Sequence, residues 1–147
     1  MQHITVTQND FSITTDKSKL DLAFVHEYLA NQSYWAKGIP FEKVKSSAEN
    51  SLTFAVLYQD HQVGYARVIT DYTTIAYLGD VFIDEEFRGQ GLSKWLMETI
   101  MSHPNLQGLR RWILLTLDAH KLYEQYGFNA VEKPERYMEK FNPNVYL

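Results

Sequence analysis

Three places in the chain combine residue types and spacings that could do chemistry. The first is Arg88-Gly89-Gln90-Gly91. It follows the β-branched and aromatic run Val81-Phe82-Ile83 and precedes Leu92, Trp95, Leu96 and Ile100 at helical spacing. A strand that turns through glycines into a helix aims orphan N–H groups and the positive dipole end at one concavity, which suits a phosphate. Glycine lets the backbone approach the ligand and take positive φ. The residues of that cradle are Arg88, Gly89, Gln90, Gly91, Leu92 and Ser93, with Lys94 able to reach a phosphate from the first helical turn. The plainer reading is a strand-to-helix turn that merely uses glycine. Two familiar phosphate loops do not fit: G-x-x-x-x-G-K-[ST] is absent, and G-x-G-x-x-G fails at Lys94.

The second place is Asp80, a carboxylate within the apolar run Ile75–Ile83, where alternation predicts that it shares a face with Leu78 and Phe82. A charge inside such a strand is costly unless it is paired or used. It reads either as a general base or as a strand carboxylate hydrogen-bonded to a loop or paired with Arg67. The third is Tyr123, which shares a helical stripe with Ala119 and Leu122. Spacing alone makes it a core residue; a phenol with a reference pKa of about 10 could also donate a proton. Tyr34 and Trp35, adjacent aromatics in a loop before Gly38, predict a wall or lid, or an anchor to the core. Glu85 and Glu86 read as exposed turn residues, and His26 and His120 as surface side chains.

Elements able to position these groups follow from periodicity and punctuation. A short β segment near Ile4–Val6 and a strand at Phe11–Thr15 come first. Ser18 and Asp21 form a capping box before a helix whose stripe is Leu20, Phe24 and Tyr28, with Leu22, Val25 and Leu29 beside it. Pro40 predicts the first position of a second helix marked by Phe41, Val44 and Ala48. Strands at Leu52–Tyr58 and Val63–Thr70 form a hairpin, and Ile75–Ile83 adds a third strand that runs into the glycine loop. The helix after that loop ends at Ser102-His103-Pro104. A strand at Arg111–Leu117, a helix capped by Asp118 and ended by Gly127, and two antiparallel strands at Phe128–Val131 and Tyr137–Phe141 complete the expectation.

The chain has 147 residues, 45% of them hydrophobic and 22% charged, which predicts one domain over residues 1–147 with a sizeable core. A net charge of −4 argues against a nucleic-acid partner, which would call for a basic face. The absence of cysteine excludes disulfides, thiolate metal sites and a cysteine nucleophile. No signal peptide or bilayer-length apolar run is visible, so the expectation is a cytoplasmic protein without a membrane partner and without a metal.

Arg88-x-x-Gly91-x-Ser93 resembles the acyl-CoA signature Arg/Gln-x-x-Gly-x-Gly/Ala of the GNAT superfamily of N-acetyltransferases. Ala119-His-Lys-Leu-Tyr-Glu-Gln-Tyr-Gly-Phe128 is similar to the A-x-x-[LF]-Y-E-x-x-G-F segment of that family. Thr116 stands where many members carry Asn. The resemblance runs from about Phe11 to Phe141 and implies an α/β (α+β) fold with a mixed, mainly antiparallel central sheet and helices on both faces. It further implies acetyl-CoA as acyl donor and a primary amine of a small molecule or protein as acceptor. Direct transfer would pass through a tetrahedral intermediate, with Tyr123 protonating the leaving thiolate and Asp80 receiving the ammonium proton. Backbone of Val81, Phe82 and Ile83 would pair with the pantetheine arm where neighbouring strands splay, an N–H of Val81 or Phe82 would hold the oxyanion, and Tyr34 and Trp35 would line the acceptor side. A homodimer is consistent with the family. A non-catalytic acyl-CoA-binding or regulatory domain of the same shape is the competing expectation, and it requires neither Asp80 nor Tyr123.

Overall fold

Six strands in sequential spatial order carry the site. The computed structural model describes residues 2–147. Strands β1 (Thr5–Gln8), β2 (Phe11–Thr14), β3 (Leu52–Tyr58), β4 (His61–Thr70) and β5 (Ile75–Ile83) pair antiparallel in succession. Strand β6 (Arg111–Leu114) joins β5 in parallel at the far edge. Helices α1 (Leu22–Asn31) and α2 (Phe41–Glu49) lie between β2 and β3 in the chain. Helix α3 (Leu92–Met101) follows β5, and the short α4 (His120–Glu124) follows β6. The parallel pair needs a crossover, and α3 supplies it.

Strand alternation sends side chains to two cores. On one face Phe54, Val56, Ala66, Val68, Ala76 and Leu78 pack against Leu92, Leu96, Met97 and Ile100 of α3. On the other, Tyr65 and Phe82 pack against Val25 and Leu29 of α1 and Val44 of α2. Burying each of these larger side chains is worth about 1.5–3 kcal/mol, so both helical layers are held by apolar contact rather than propensity.

Local details differ from the expectations in four places. The capping box is replaced by two separate caps: Asp16 accepts from Ser18 N–H ahead of a 3₁₀ turn, and Asp21 caps α1 through Phe24 N–H. Pro40 stands one position earlier than expected, as N-cap of α2. The hairpin closes on Gln59-Asp60, both at positive φ, so β4 begins at His61, two residues before the expected start. The expected strands Phe128–Val131 and Tyr137–Phe141 do not form. That stretch is mostly exposed and holds a 3₁₀ turn at Pro134–Arg136, and β6 itself stops at Leu114 rather than Leu117. Lacking a backbone ladder along β6, the tail leaves Met138 and Phe141 in solvent, and its late contact is Tyr146 against the α1–α2 core.

One histidine sits wholly inside this frame. His103 is 1% exposed, accepts Asn105 N–H at Nδ1 (3.0 Å), faces Phe54 edge-on and has no partner at Nε2. Burial holds its pKa below the ordinary histidine value. Below pH ~6.5 the unfolded chain therefore takes up a proton that the folded chain refuses, and stability falls as the pH falls. Urea midpoints between pH 7 and pH 5 should decline in the parent and decline less in His103→Asn, whose amide oxygen can still accept from Asn105. Identical slopes in the two proteins would remove His103 as the cause.

Candidate active site

The strand that delivers the site is broken in phase at one residue. Register pairs Tyr65 with Phe82 and Arg67 with Gly79, so Ala66 faces both Asp80 and Val81. This is a bulge, and Asp80 occupies it with φ +52°. Aspartate tolerates that conformation better than a bulky residue because its short polar side chain can be held locally. The expected sharing of one face by Leu78, Asp80 and Phe82 is therefore wrong. Leu78 points into the α3 core and Phe82 into the α1–α2 core, because the extra residue reverses alternation between them.

Asp80 is firmly held. Its Oδ2 accepts from Arg67 Nε at 2.8 Å, and its Oδ1 accepts from Trp35 Nε1 at 2.9 Å. Both members of the ion pair are largely buried. Removing one partner of such a pair costs about 3–5 kcal/mol, far above the ~0–1 kcal/mol of a surface pair. These two bonds also oppose the roughly 1–3 kcal/mol of strain at a left-handed non-glycine residue. Two of the four lone-pair directions of the carboxylate remain for another donor.

From Asp80 a run of contacts leads to Leu117, in the segment between β6 and α4. Trp35 stands edge-on to Tyr34, with ring centroids 5.0 Å apart. The Tyr34 hydroxyl accepts the Leu117 N–H at 2.8 Å. Tyr123 is buried, and its phenol is pushed up to about 12, first by burial and then by Tyr34 and Asp118. It stays protonated across the physiological range. With Trp112, Leu114 and Thr116 it lines a cleft of about 280 Å³ between β6, α4 and the tail. Thr116 accepts the Ala119 N–H at 3.0 Å and so closes the turn into α4, while the expected Asp118 cap is not formed.

The β5–β6 register ends at Leu78 opposite Leu114, although β5 runs on to Ile83. Beyond that point the two chains part, with Gly79–Ile83 on one side and Leu115–Leu117 on the other. The glycine loop lies at the end of this gap. Gly89 and Gly91 both take φ +81°, and Gly91 is the N-cap of α3. The first intrahelical bond runs from Trp95 N–H to Gly91, so the N–H groups of Leu92, Ser93 and Lys94 precede it. Ile83, Arg88, Gly89, Gly91, Leu92, Ser93 and Lys94 line a concavity of about 340 Å³ together with Leu122.

Three expected cofactor residues do not line that concavity with the others. The Gln90 side chain turns back to donate to the Phe87 carbonyl. Val81 packs toward the α3 core, and Phe82 lies stacked on Tyr28, with centroids 3.9 Å apart and planes 2° from parallel. Arg88 is pinned from both ends, donating to the Ile83 carbonyl through Nε and to the Tyr28 hydroxyl through a terminal nitrogen, each at 3.0 Å. Tyr28 thus braces the loop from α1, a role its helical stripe does not reveal. His26 is not a free surface side chain, since its Nε2 bonds to the Ile39 carbonyl at 3.0 Å. Among the described residues no group of three or more His, Asp or Glu side chains could hold a metal ion, and no helix is long and apolar enough to cross a membrane.

A bulged strand thus parts from its parallel neighbour and runs through a glycine turn into the N-terminus of a helix. Residues 49–130 match the family model described as acetyltransferase (GNAT) domain. The chain belongs to that family of acetyltransferases. A crystal structure of a Xanthomonas campestris protein, described as a GNAT-family acetyltransferase, is 47% identical with a TM-score of 0.91, covering 92% of this chain and 96% of that one. A Gibberella zeae protein named as an acetyltransferase is 28% identical over 139 residues, which is 80% of this chain and 77% of that protein. A GNAT structure from Elizabethkingia anophelis with acetyl-CoA bound shares the fold at a TM-score of 0.63 and 14% identity, covering 93% and 91% of the two chains.

Proposed function

We propose that this chain transfers an acetyl group from acetyl-CoA to a primary amine without a covalent enzyme intermediate. The observation that carries the reading is the contact run Asp80–Trp35–Tyr34–Leu117 at the gap between β5 and β6, with Tyr123 lining the cleft next to Leu115 and Thr116. The cradle at Arg88–Lys94, at one end of that gap, suits the pyrophosphate, with the three leading N–H groups of α3 as donors and the helix dipole adding up to about 2 kcal/mol. The edge of Val81–Ile83 that β6 leaves open suits the amides of the pantetheine arm, with the Ile83 carbonyl shared with Arg88. An N–H of Val81 or Phe82 would stabilise the oxyanion.

In this reading the amine nitrogen attacks the thioester carbon, a C–N bond forms and the C–S bond breaks. Tyr123 gives its phenolic proton to the departing sulfur and recovers one from solvent. The ammonium proton leaves to Asp80, directly or through water. A thiolate whose thiol has a reference pKa near ~8.5 is a weaker base than the Tyr123 phenolate. The phenol therefore stabilises the departing sulfur by a hydrogen bond as charge develops there, and the full proton transfer runs uphill and is completed by solvent. Tyr34 and Trp35 wall the acceptor side. Release of free thiol from acetyl-CoA on addition of primary amines tests the reaction. Binding of acetyl-CoA with no release for any amine would make the chain a non-catalytic acyl-CoA binder.

Trp35→Ala should raise the KM for the amine roughly tenfold and leave that for acetyl-CoA nearly unchanged. That size corresponds to about 1.4 kcal/mol, the upper range of one aromatic contact. Equal effects on both substrates, with a lower Tm, would assign Trp35 to packing instead.

A further inference from the structure

Around Asp80 the α1–α2 face of the sheet carries an apolar floor that neither helix covers. Alternation from Arg67 and Gly79 puts Tyr77 and Ile69 on this face. Register brings Ile113 beside Tyr77 and leaves Leu115 abreast of Gly79, one step past the Leu78–Leu114 pair. The ring of Tyr77 lies over Gly79, its Cε1 3.1 Å from where a Cβ would stand. Burial raises the phenol pKa of Tyr77, with the charge of Asp80 adding to it and Arg67 opposing. Ile69 is 44% exposed, Leu115 74%, Leu117 70% and Trp35 40%, and nothing in the fold requires that much apolar surface in water.

The charge at the head of this floor is already balanced. Arg67 neutralises Asp80, the indole N–H edge of Trp35 fills a second acceptor position, and Tyr34 stands edge-on behind Trp35. Such a site attracts one ammonium through the carboxylate's remaining lone pairs. Further positive charges on an acceptor would lie over Leu115, Ile69 and Leu117, where desolvation is not repaid.

We propose that the acceptor is a primary amine borne on an uncharged apolar body, aromatic or branched aliphatic, that lies on the floor of Tyr77, Ile113 and Leu115. This rests on the acetyl-transfer reading above and names the acceptor class of the same site. A polyamine, an aminoglycoside and a cationic peptide are the excluded classes.

The test is thiol release from acetyl-CoA with 2-phenylethylamine, isoamylamine, spermidine and kanamycin, in the parent and in Leu115→Glu. Parent kcat/KM should be at least about tenfold higher for the two apolar amines. Leu115→Glu should lower it for those amines through KM, raise it for spermidine, and leave the KM for acetyl-CoA unchanged. Since Leu115 is exposed, the substitution should not disturb folding, and Leu115→Gln serves as the uncharged control with the smaller effect. Spermidine or kanamycin used as well as phenylethylamine would overturn the acceptor class while leaving acetyl transfer standing. So would a Leu115→Glu protein that treats all four amines alike. No release with any amine, with acetyl-CoA bound by calorimetry, would overturn acetyl transfer itself and this inference with it.

Discussion

Tyr123→Phe should lower kcat by about 10²–10⁴-fold, the range typical of losing a positioned proton donor, with little change in acetyl-CoA affinity. The ring stays, and with it the packing against Phe128, whose centroid is 6.1 Å away. Only the hydroxyl is removed, so a stability loss should be small beside the kinetic one. Because the phenol is pushed up to about 12, its deprotonation should not shape the pH–rate profile below that value. Any alkaline limb at lower pH must come from another group or from the substrate. A residual rate is expected, since water can protonate a thiolate, and an oxyester analogue of the donor should suffer more than the thioester. Turnover at the parent rate, where chemistry is rate-limiting, would return Tyr123 to the core.

The main frame could be read in advance because its signals are local. Leu52–Tyr58 and Ile75–Ile83 are bounded by turn residues and read as strands to the residue, and the glycine loop announces the start of α3. The bulge at Asp80 was missed, since it depends on how β4 and β5 register and its one local mark is Gly79 inside an apolar strand. Asp80 therefore carried a correct suspicion of pairing with Arg67 and a wrong assignment of face. Trp35 as a second partner of Asp80, Tyr28 as the brace on Arg88 and Tyr77 as the cover over Gly79 come from residues far apart in the chain or from ring packing that spacing does not encode. The expected terminal strands failed for a related reason. Aromatic and β-branched content in Phe128–Phe141 fits a strand, but a strand forms only when a partner edge pairs with it.

Gly91→Val should weaken acetyl-CoA binding by roughly 100-fold or more. Gly91 sits at φ +81° as the N-cap of α3, where a β-branched residue is strongly disfavoured. No atom lies within 4 Å of where its Cβ would stand, so crowding with the protein is not the cause. The open space faces the cradle, which a branched side chain would narrow against an approaching pyrophosphate. Relief of the strain would also rotate the loop and turn the leading N–H groups of α3 away from their common focus. Hydrogen bonds to a charged partner contribute about 1.5–3 kcal/mol each, so losing one or two accounts for such a drop. The fold should survive, because Leu92 and Leu96 still anchor α3 in its core. Titration calorimetry with acetyl-CoA, beside a circular dichroism melt, separates the two effects. Gly91→Ala should show the strain with less of the steric block and fall between parent and valine. Unchanged affinity in the valine variant would show that the phosphates bind elsewhere, and the reading of Arg88–Lys94 as their cradle would fail.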